Sequence, residues 1–454
     1  MTTSSQSGGD EKTQNLSEDD RIFLDDLEHR TFDWFWDNAN SQNGLIPDRT
    51  PVPDGAASIA SVGFGLTSYG IGVQRGYITR KQAVDRTLTT LRFLDRLPQN
   101  DKPVGAAGFH GFYYHFLDPK TGLRVAEWSE LSSVDTALLM GGVLFTQSYY
   151  DRATPQEKEI RTIANRLYRR VDWQWMRHNG QWLSMGWFPP DKFIPVDWKG
   201  YNEGLIIYLL ALASPTHPLP SALWKDWTQT YNNQWGQFQG HTFLNFAPLF
   251  GHQYTESWID FREIKDSFNR RHETDYFKNS REAVYAQREY AKANPGNWSD
   301  YSQDVWGLTA SDGPGDITKE QDGIKRHFLS YSARGAGRDY INDDGTIAPT
   351  AAGGSVAIAP EIALPALKEM KRRYGDRIYN RYGFVDAFNP TFKTENGFWA
   401  DGQQIGIDQG PILLMIENYR SQFVWNVMKK NPVIRTALNK AGFRGGWLGE
   451  RRSH

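Results

Sequence analysis

Three acidic residues each stand at the head of an apolar stretch: Asp135 in SELSSVDTALLM, Glu203 in YNEGLIIYLL and Asp408 in GIDQGPILLM. A carboxylate in a first helical turn caps the helix and complements its dipole, so each alone has an ordinary structural use. Three at corresponding places in segments running the same way would meet on one face. Cleaving a glycosidic bond needs two carboxyls, one protonated to release the leaving oxygen and one ionised to activate water or attack. Glu203 suits the acid, because Trp198, Tyr201 and Asn202 adjoin it and would shield it, raising its pKa toward neutrality. Asp408 lies in the more open, Gly-rich surroundings where a water could be held, and is the expected partner, with Asp135 second. Glu130 lies in the loop before Asp135, and Asp401 lies shortly before Asp408. Asp312, in TASDGPGD, is a further candidate contact, although Asp-Gly-Pro-Gly is a turn signal in its own right.

Aromatic residues supply the second signal. The chain has 17 Trp, 21 Tyr and 25 Phe, and Trp182, Trp187, Trp198, Trp298, Trp306 and Trp399 fall among polar, Gly or Pro residues. Most aromatics must fill a core. Indole beside turn residues and carboxylates also fits a cleft where flat sugar faces stack and ring edges find polar partners. Trp198, Trp306, Trp399 and Tyr254 are the expected stacking residues, and His252 and Asp260 are expected polar contacts.

These residues need a frame that brings them together. Arg80–Leu97, Pro155–Trp175 and Pro360–Tyr374 repeat apolar residues at helical spacing with charges opposite. Alternating with such stretches are six poor in charge: Ala60–Gly76, Ser132–Tyr149, Asn202–Ala213, Gln253–Phe261, Thr350–Ala359 and Ile407–Tyr419. A helix apolar nearly all round is buried on all sides. Buried and amphipathic helices in alternation predict an all-α chain, an (α/α)6 toroid of about twelve helices in two rings. Residues 294–349 carry many Gly, Asp, Pro and Tyr and read as a long loop or small strand insertion. The competing two-domain α/β architecture lacks its alternating β-branched runs. A flexible leader over 1–19 and one domain over 20–454 complete the expected layout.

Other chemistries are poorly represented. The net charge of −2 removes the broad attraction a nucleic-acid binder needs. With no cysteine there is no disulfide, thiolate metal site or thiol nucleophile. No phosphate loop, complete dinucleotide fingerprint, HExxH, EF-hand loop or GxSxG elbow occurs, so no metal or cofactor is expected. The longest apolar run, Leu205–Ala213, is too short to span a bilayer. The polar start suits a periplasmic or extracellular protein whose signal has been removed, and equally a cytoplasmic one with a ragged start.

At SSVDTALLMGG, KGYNEGLIIYLLALASPTHP, LFGHQYTESWIDFR and GIDQGPILLMIENYRS, the chain resembles the bacterial glycoamylase-like proteins of glycoside hydrolase family 144, the β-1,2-glucanases. The likeness runs from about Asp20 to Leu448. It implies an (α/α)6 barrel without metal that hydrolyses β-1,2-glucan to sophorose-type oligosaccharides with inversion, endo or exo. It also implies that Glu203 is the acid and Asp135 essential, and it assigns no base. The alternatives are a transglycosylase or sugar-binding protein on the same barrel, a hydrolase of another glucan linkage, and a polysaccharide lyase.

Overall fold

A computed structural model of the chain describes residues 15–449. In chain order the helices are α1 Glu18–Asn38, α2 Ile59–Arg75, α3 Arg80–Arg96, α4 Ser133–Tyr149, α5 Pro155–Arg169, α6 Leu205–Ala213, α7 Ala222–Gln229, α8 Phe250–Gln253, α9 Ser267–Arg271, α10 Tyr276–Ala293, α11 Pro349–Gly353, α12 Pro360–Tyr374, α13 Gly406–Ser421, α14 Phe423–Lys429 and α15 Pro432–Lys440. Several starts are set by local chemistry. The side chains of Ser58, Ser132 and Thr154 each accept from the backbone N–H three residues on, satisfying a donor that the first turn leaves free. Thr79 and Gln82 form a reciprocal capping box at α3.

Helices α2, α4, α6, α8, α11 and α13 are buried along nearly their whole length, whereas α1, α3, α5, α7, α10 and α12 bury one stripe each. Buried and amphipathic helices therefore alternate as the sequence implies. The buried helix α2 packs between α4 and α13; α4 also reaches α6, and α13 reaches α11. Close approach of α2 and α4 depends on glycine. A Cβ at Gly63 would stand 2.3 Å from the Leu138 carbonyl oxygen, and one at Gly142 would stand 2.1 Å from that of Gly63.

Several boundaries differ from expectation. Helix α1 begins at Glu18 and is capped by Ser17, so the last two residues of the stretch expected as a leader over 1–19 are helical; residues 1–14, which make up most of it, and 450–454 lie outside the described residues. The stretch expected to be helical over 253–261 is α8 plus one 3-10 turn, Thr255–Ser257. The 350–359 stretch is helical only through α11. Glu203 lies in a turn just ahead of α6 rather than inside its first turn.

Short strands complement the helices and prepare the site. Ala57–Ser58 pairs with Phe116–Leu117, Leu131–Ser132 with Gly186–Phe188, and Arg49–Thr50 with Gln404–Ile405. Three of these strands run directly into α2, α4 and α13, which fixes where those helices begin. Residues 294–349 form the expected insertion, with a hairpin Ile317–Gln321/Ile324–Phe328 and smaller ladders. The insertion is anchored by Arg334, which is fully buried and donates to Asp344 and to the carbonyls of Ser311, Leu329 and Ser330.

Candidate active site

Helix α4 contributes the first acid. Ser132 caps α4 and its hydroxyl donates to Asp135 Oδ2 at 2.6 Å. The same Asp135 oxygen lies 3.4 Å from His115 Nε2, and His115 Nδ1 reaches Glu130 Oε1 at 2.6 Å. One imidazole thus bridges two carboxylates. Burial works against charge on His115, but Asp135 and Glu130 outweigh it and push its pKa up to about 9. At neutral pH it is a cation that holds both acids in place.

Glu203 is placed differently. Its Oε2 is buried without a hydrogen-bond partner among the described residues. Burial, with a smaller push from the Asp135 charge, raises the Glu203 pKa to about 7. The turn that holds it is shaped by Asn202, whose Oδ1 accepts from the Gly204 N–H at 2.8 Å and whose Nδ2 donates to the Lys199 carbonyl at 3.0 Å.

A second acidic group forms at the head of α13. The Asp408 Oδ2, Asp386 Oδ1 and Asp401 Oδ2 atoms are buried without partners. Asp386 Oδ2 accepts from the Asp312 N–H at 2.8 Å. Arg49 supplies the positive charge, donating to both oxygens of Asp312 at 2.9 and 2.8 Å and to Gln403 Oε1 at 3.1 Å. Burial, with the Asp312 charge adding repulsion in each case, raises all three acids: Asp401 to about 9, Asp408 to about 7, and Asp386 well above the usual range. Asp386 shares a hydrogen bond with Asp408 that lowers the pKa of Asp408 and raises its own. Asp386 therefore keeps the proton and Asp408 is the more readily ionised member.

Tyr254 joins the two groups. It follows α8, and after burial the carboxylates acting on its phenol include Asp408, Glu203 and Asp135. The charges of Asp408, Glu203 and Asp135 all act on this one ring. Asp312, Asp386 and Asp401 bring ligand atoms within 4.8 Å of one another, as do His115, Glu130 and Asp135. Only the all-carboxylate group has the donor types for a hard cation, and Arg49 already carries positive charge into it, as His115 does into the other.

Several expected contacts have other work. Trp198 is 5% exposed and its indole donates to Ser133 Oγ at 2.9 Å, so it braces the head of α4 instead of offering a face to sugar. Trp198→Phe is expected to cost about 1 kcal/mol of stability for the lost hydrogen bond, measured by denaturant titration, with the fold retained. Tyr201 is buried against Tyr276, and its hydroxyl meets His252 Nδ1 at 2.8 Å. His252 Nε2 lies 2.9 Å from the Phe246 carbonyl, and burial lowers its pKa to about 4, so it is a neutral structural residue. Trp306 is 1% exposed within a core cluster. Asp260 is bound by Arg262 and Lys429. Arg262 in turn donates to Gln422, just past the C-terminal end of α13, whereas Asp408 lies in the first turn of that helix. Asp260 therefore belongs to the opposite end. Trp399 is half-buried on the hairpin that leads into Asp401.

Residues not anticipated are His115, Arg49, Asp386, Trp128 and Tyr331. Trp128 is 57% exposed, and its ring leans on Phe116, which stacks on His115. Tyr331 is 46% exposed, and Asp408 and Asp386 lead the carboxylates acting on its phenol. These two rings have the exposure a sugar platform requires. Trp128 sits in AEWSE beside Glu130, a signal open to reading; Arg49 lies on a two-residue strand and His115 and Asp386 lie in loops, all with partners that no local pattern marks.

The glycoamylase family model, described as a glucoamylase, matches residues 195–432. An exo β-1,2-glucooligosaccharide sophorohydrolase (non-reducing end) of Parabacteroides distasonis is 28% identical over 452 residues, 93% of this chain; the match spans 58% of that relative's length. A solved structure from Bacteroides uniformis with the glucoamylase description is 30% identical with a TM-score of 0.82, covering 96% of this chain and 100% of that one. The endo-β-1,2-glucanase of Chitinophaga pinensis, solved with sophorotriose and glucose, is 29% identical with a TM-score of 0.81, covering 94% and 99%.

Proposed function

Given that the chain belongs to the glycoamylase-like family, glycoside hydrolase family 144, we propose that it hydrolyses β-1,2-glucan to sophorose-type oligosaccharides by an inverting acid–base mechanism on an (α/α)6 toroid. The observation that carries this reading is Glu203: a buried carboxyl with an unpartnered oxygen and a pKa of about 7, whose charge acts on Tyr254 together with that of Asp408. Relatives named for β-1,2-glucan cleavage supply the substrate class.

Glu203, protonated, gives its proton to the glycosidic oxygen as the bond breaks. Asp408, with Asp386 holding the shared proton, accepts a proton from the attacking water. Asp135 is held by His115 and Ser132 and binds sugar hydroxyls beside Glu203. Inversion needs carboxyls ~6.5–9.5 Å apart so that a water fits between them. Glu203 stands just ahead of α6 and Asp408 in the first turn of α13, and the packing order α6, α4, α2, α13 puts two helices between them, which favours the wider spacing. The test is incubation with a panel of glucans, products resolved by size: β-1,2-glucan should be cut to short oligosaccharides, and cleavage of another linkage alone would remove the substrate assignment.

The two groups set a pH dependence. The base must be ionised, so rate falls as pH drops below the Asp408 value of about 7. The acid must be protonated, so rate falls as pH rises above the Glu203 value of about 7. A narrow bell centred near neutrality is expected for kcat/KM. A plateau extending two pH units to either side would contradict the assignment.

A further inference from the structure

A cavity of about 520 Å³ lies at the end opposite the acids, with Arg262, Glu263, Phe277, Lys278, Lys429 and Trp447 in its wall. Arg262 contacts Gln422, fourteen residues beyond Asp408 along α13, which is about 21 Å of helix. Its volume falls within the ~300–1,000 Å³ of small-ligand sites. Some of its charges are already committed. Asp260 accepts from Arg262 at 2.8 and 2.7 Å and pairs with Lys429 at 2.7 Å. The Asp275 carboxylate accepts from the backbone N–H groups of Lys278 at 2.7 Å and Glu263 at 3.2 Å. That leaves the Glu263 carboxylate and the Lys278 ammonium without a side-chain partner among the described residues. Beside them are Phe277 and Trp447, the latter fixed by its indole donating to the Asp260 carbonyl at 2.8 Å.

We propose that this cavity is a second, non-catalytic site for a neutral glucose oligosaccharide, an assignment of ligand that rests on the substrate class proposed above. A sugar has hydroxyls that both donate and accept and a ring face that is apolar. One free ammonium, one free carboxylate and two aromatic rings match those needs. An anion would meet the Asp260, Glu263 and Asp275 carboxylates in the same wall; of the four cations there, Arg262 and Lys429 are paired with Asp260 and Arg281 with Glu361, which leaves Lys278 alone to balance Glu263.

The test uses the full chain with Glu203→Gln, labelled with 5-fluorotryptophan, the Trp447 resonance being assigned by its loss in Trp447→Phe. Titration with sophorose should move that resonance. Lys278→Ala and Glu263→Ala, at exposed positions, should each weaken the response about tenfold or more, while in the Glu203-containing protein they leave kcat unchanged. A resonance unmoved by sophorose, maltose or cellobiose up to their solubility limits overturns the site, as does one insensitive to both substitutions. Inorganic phosphate binding more tightly than every disaccharide overturns the neutral ligand. If β-1,2-glucan is not hydrolysed yet a disaccharide moves Trp447, the proposed function falls and the cavity assignment stands. Hydrolysis with an unmoved Trp447 gives the reverse.

Discussion

Glu203→Gln is expected to lower kcat on β-1,2-glucan by at least about a hundredfold while oligosaccharides still bind. The amide keeps the shape of the carboxyl but has no acidic proton to give. Because Glu203 Oε2 has no partner to lose, the substitution leaves no hydrogen bond broken at that atom, and it removes an ionisable group from a buried position. Stability should therefore be unchanged or slightly raised, which separates a catalytic loss from a folding loss. Steady-state kinetics beside calorimetric binding of sophorose-type oligosaccharides checks both halves. Retention of most activity would transfer the acid's role to another carboxyl, with Asp135 the nearest acid acting on the same group.

Arg334→Met is expected to destabilise the protein by about 3–5 kcal/mol, because removing one partner of a buried ion pair strands the other. Arg334 is fully buried and Asp344 nearly so; the guanidinium satisfies that carboxylate at 2.8 and 2.9 Å. It also satisfies the carbonyls of Ser311, Leu329 and Ser330. Those carbonyls belong to the segments that present Asp312 and Tyr331, so activity should fall with stability. Pairing the change with Asp344→Leu should recover part of the loss, since the stranded charge is gone. Denaturant titration measures both variants. A single variant within about 1 kcal/mol of the parent would show that the insertion is held by its hairpins alone.

The helical frame was legible because burial writes a period into sequence. Helices α3, α4, α12 and α13 lie within two residues of the expected spans. Helix α1 was harder to read because Glu28 and Thr31 interrupt its buried stripe; Glu28 faces Arg75 and Arg420 from helices far along the chain. The 253–261 and 350–359 stretches kept their apolar character but only a turn or so of helix each, since composition reports burial and not backbone conformation. Among site residues, the acids at or just ahead of helix heads were visible, and Asp408, Glu203 and Asp135 all act on the Tyr254 phenol. Trp198, Tyr201 and His252 have the residue types of a cleft, yet their polar atoms are taken by Ser133, His252 and Phe246, pairings no local pattern encodes. The same holds for His115 and Asp386, whose roles come from Glu130, Asp135 and Asp408.

The most direct measurement is proton NMR of products formed in the first minutes of β-1,2-glucan hydrolysis, before the anomers equilibrate. Under the proposed roles, a water held by Asp408 on the face opposite Glu203 attacks with inversion, so the new reducing ends should appear first as the α-anomer. First appearance of the β-anomer would mean a double displacement through a covalent intermediate, which the proposed roles of Glu203 and Asp408 do not permit.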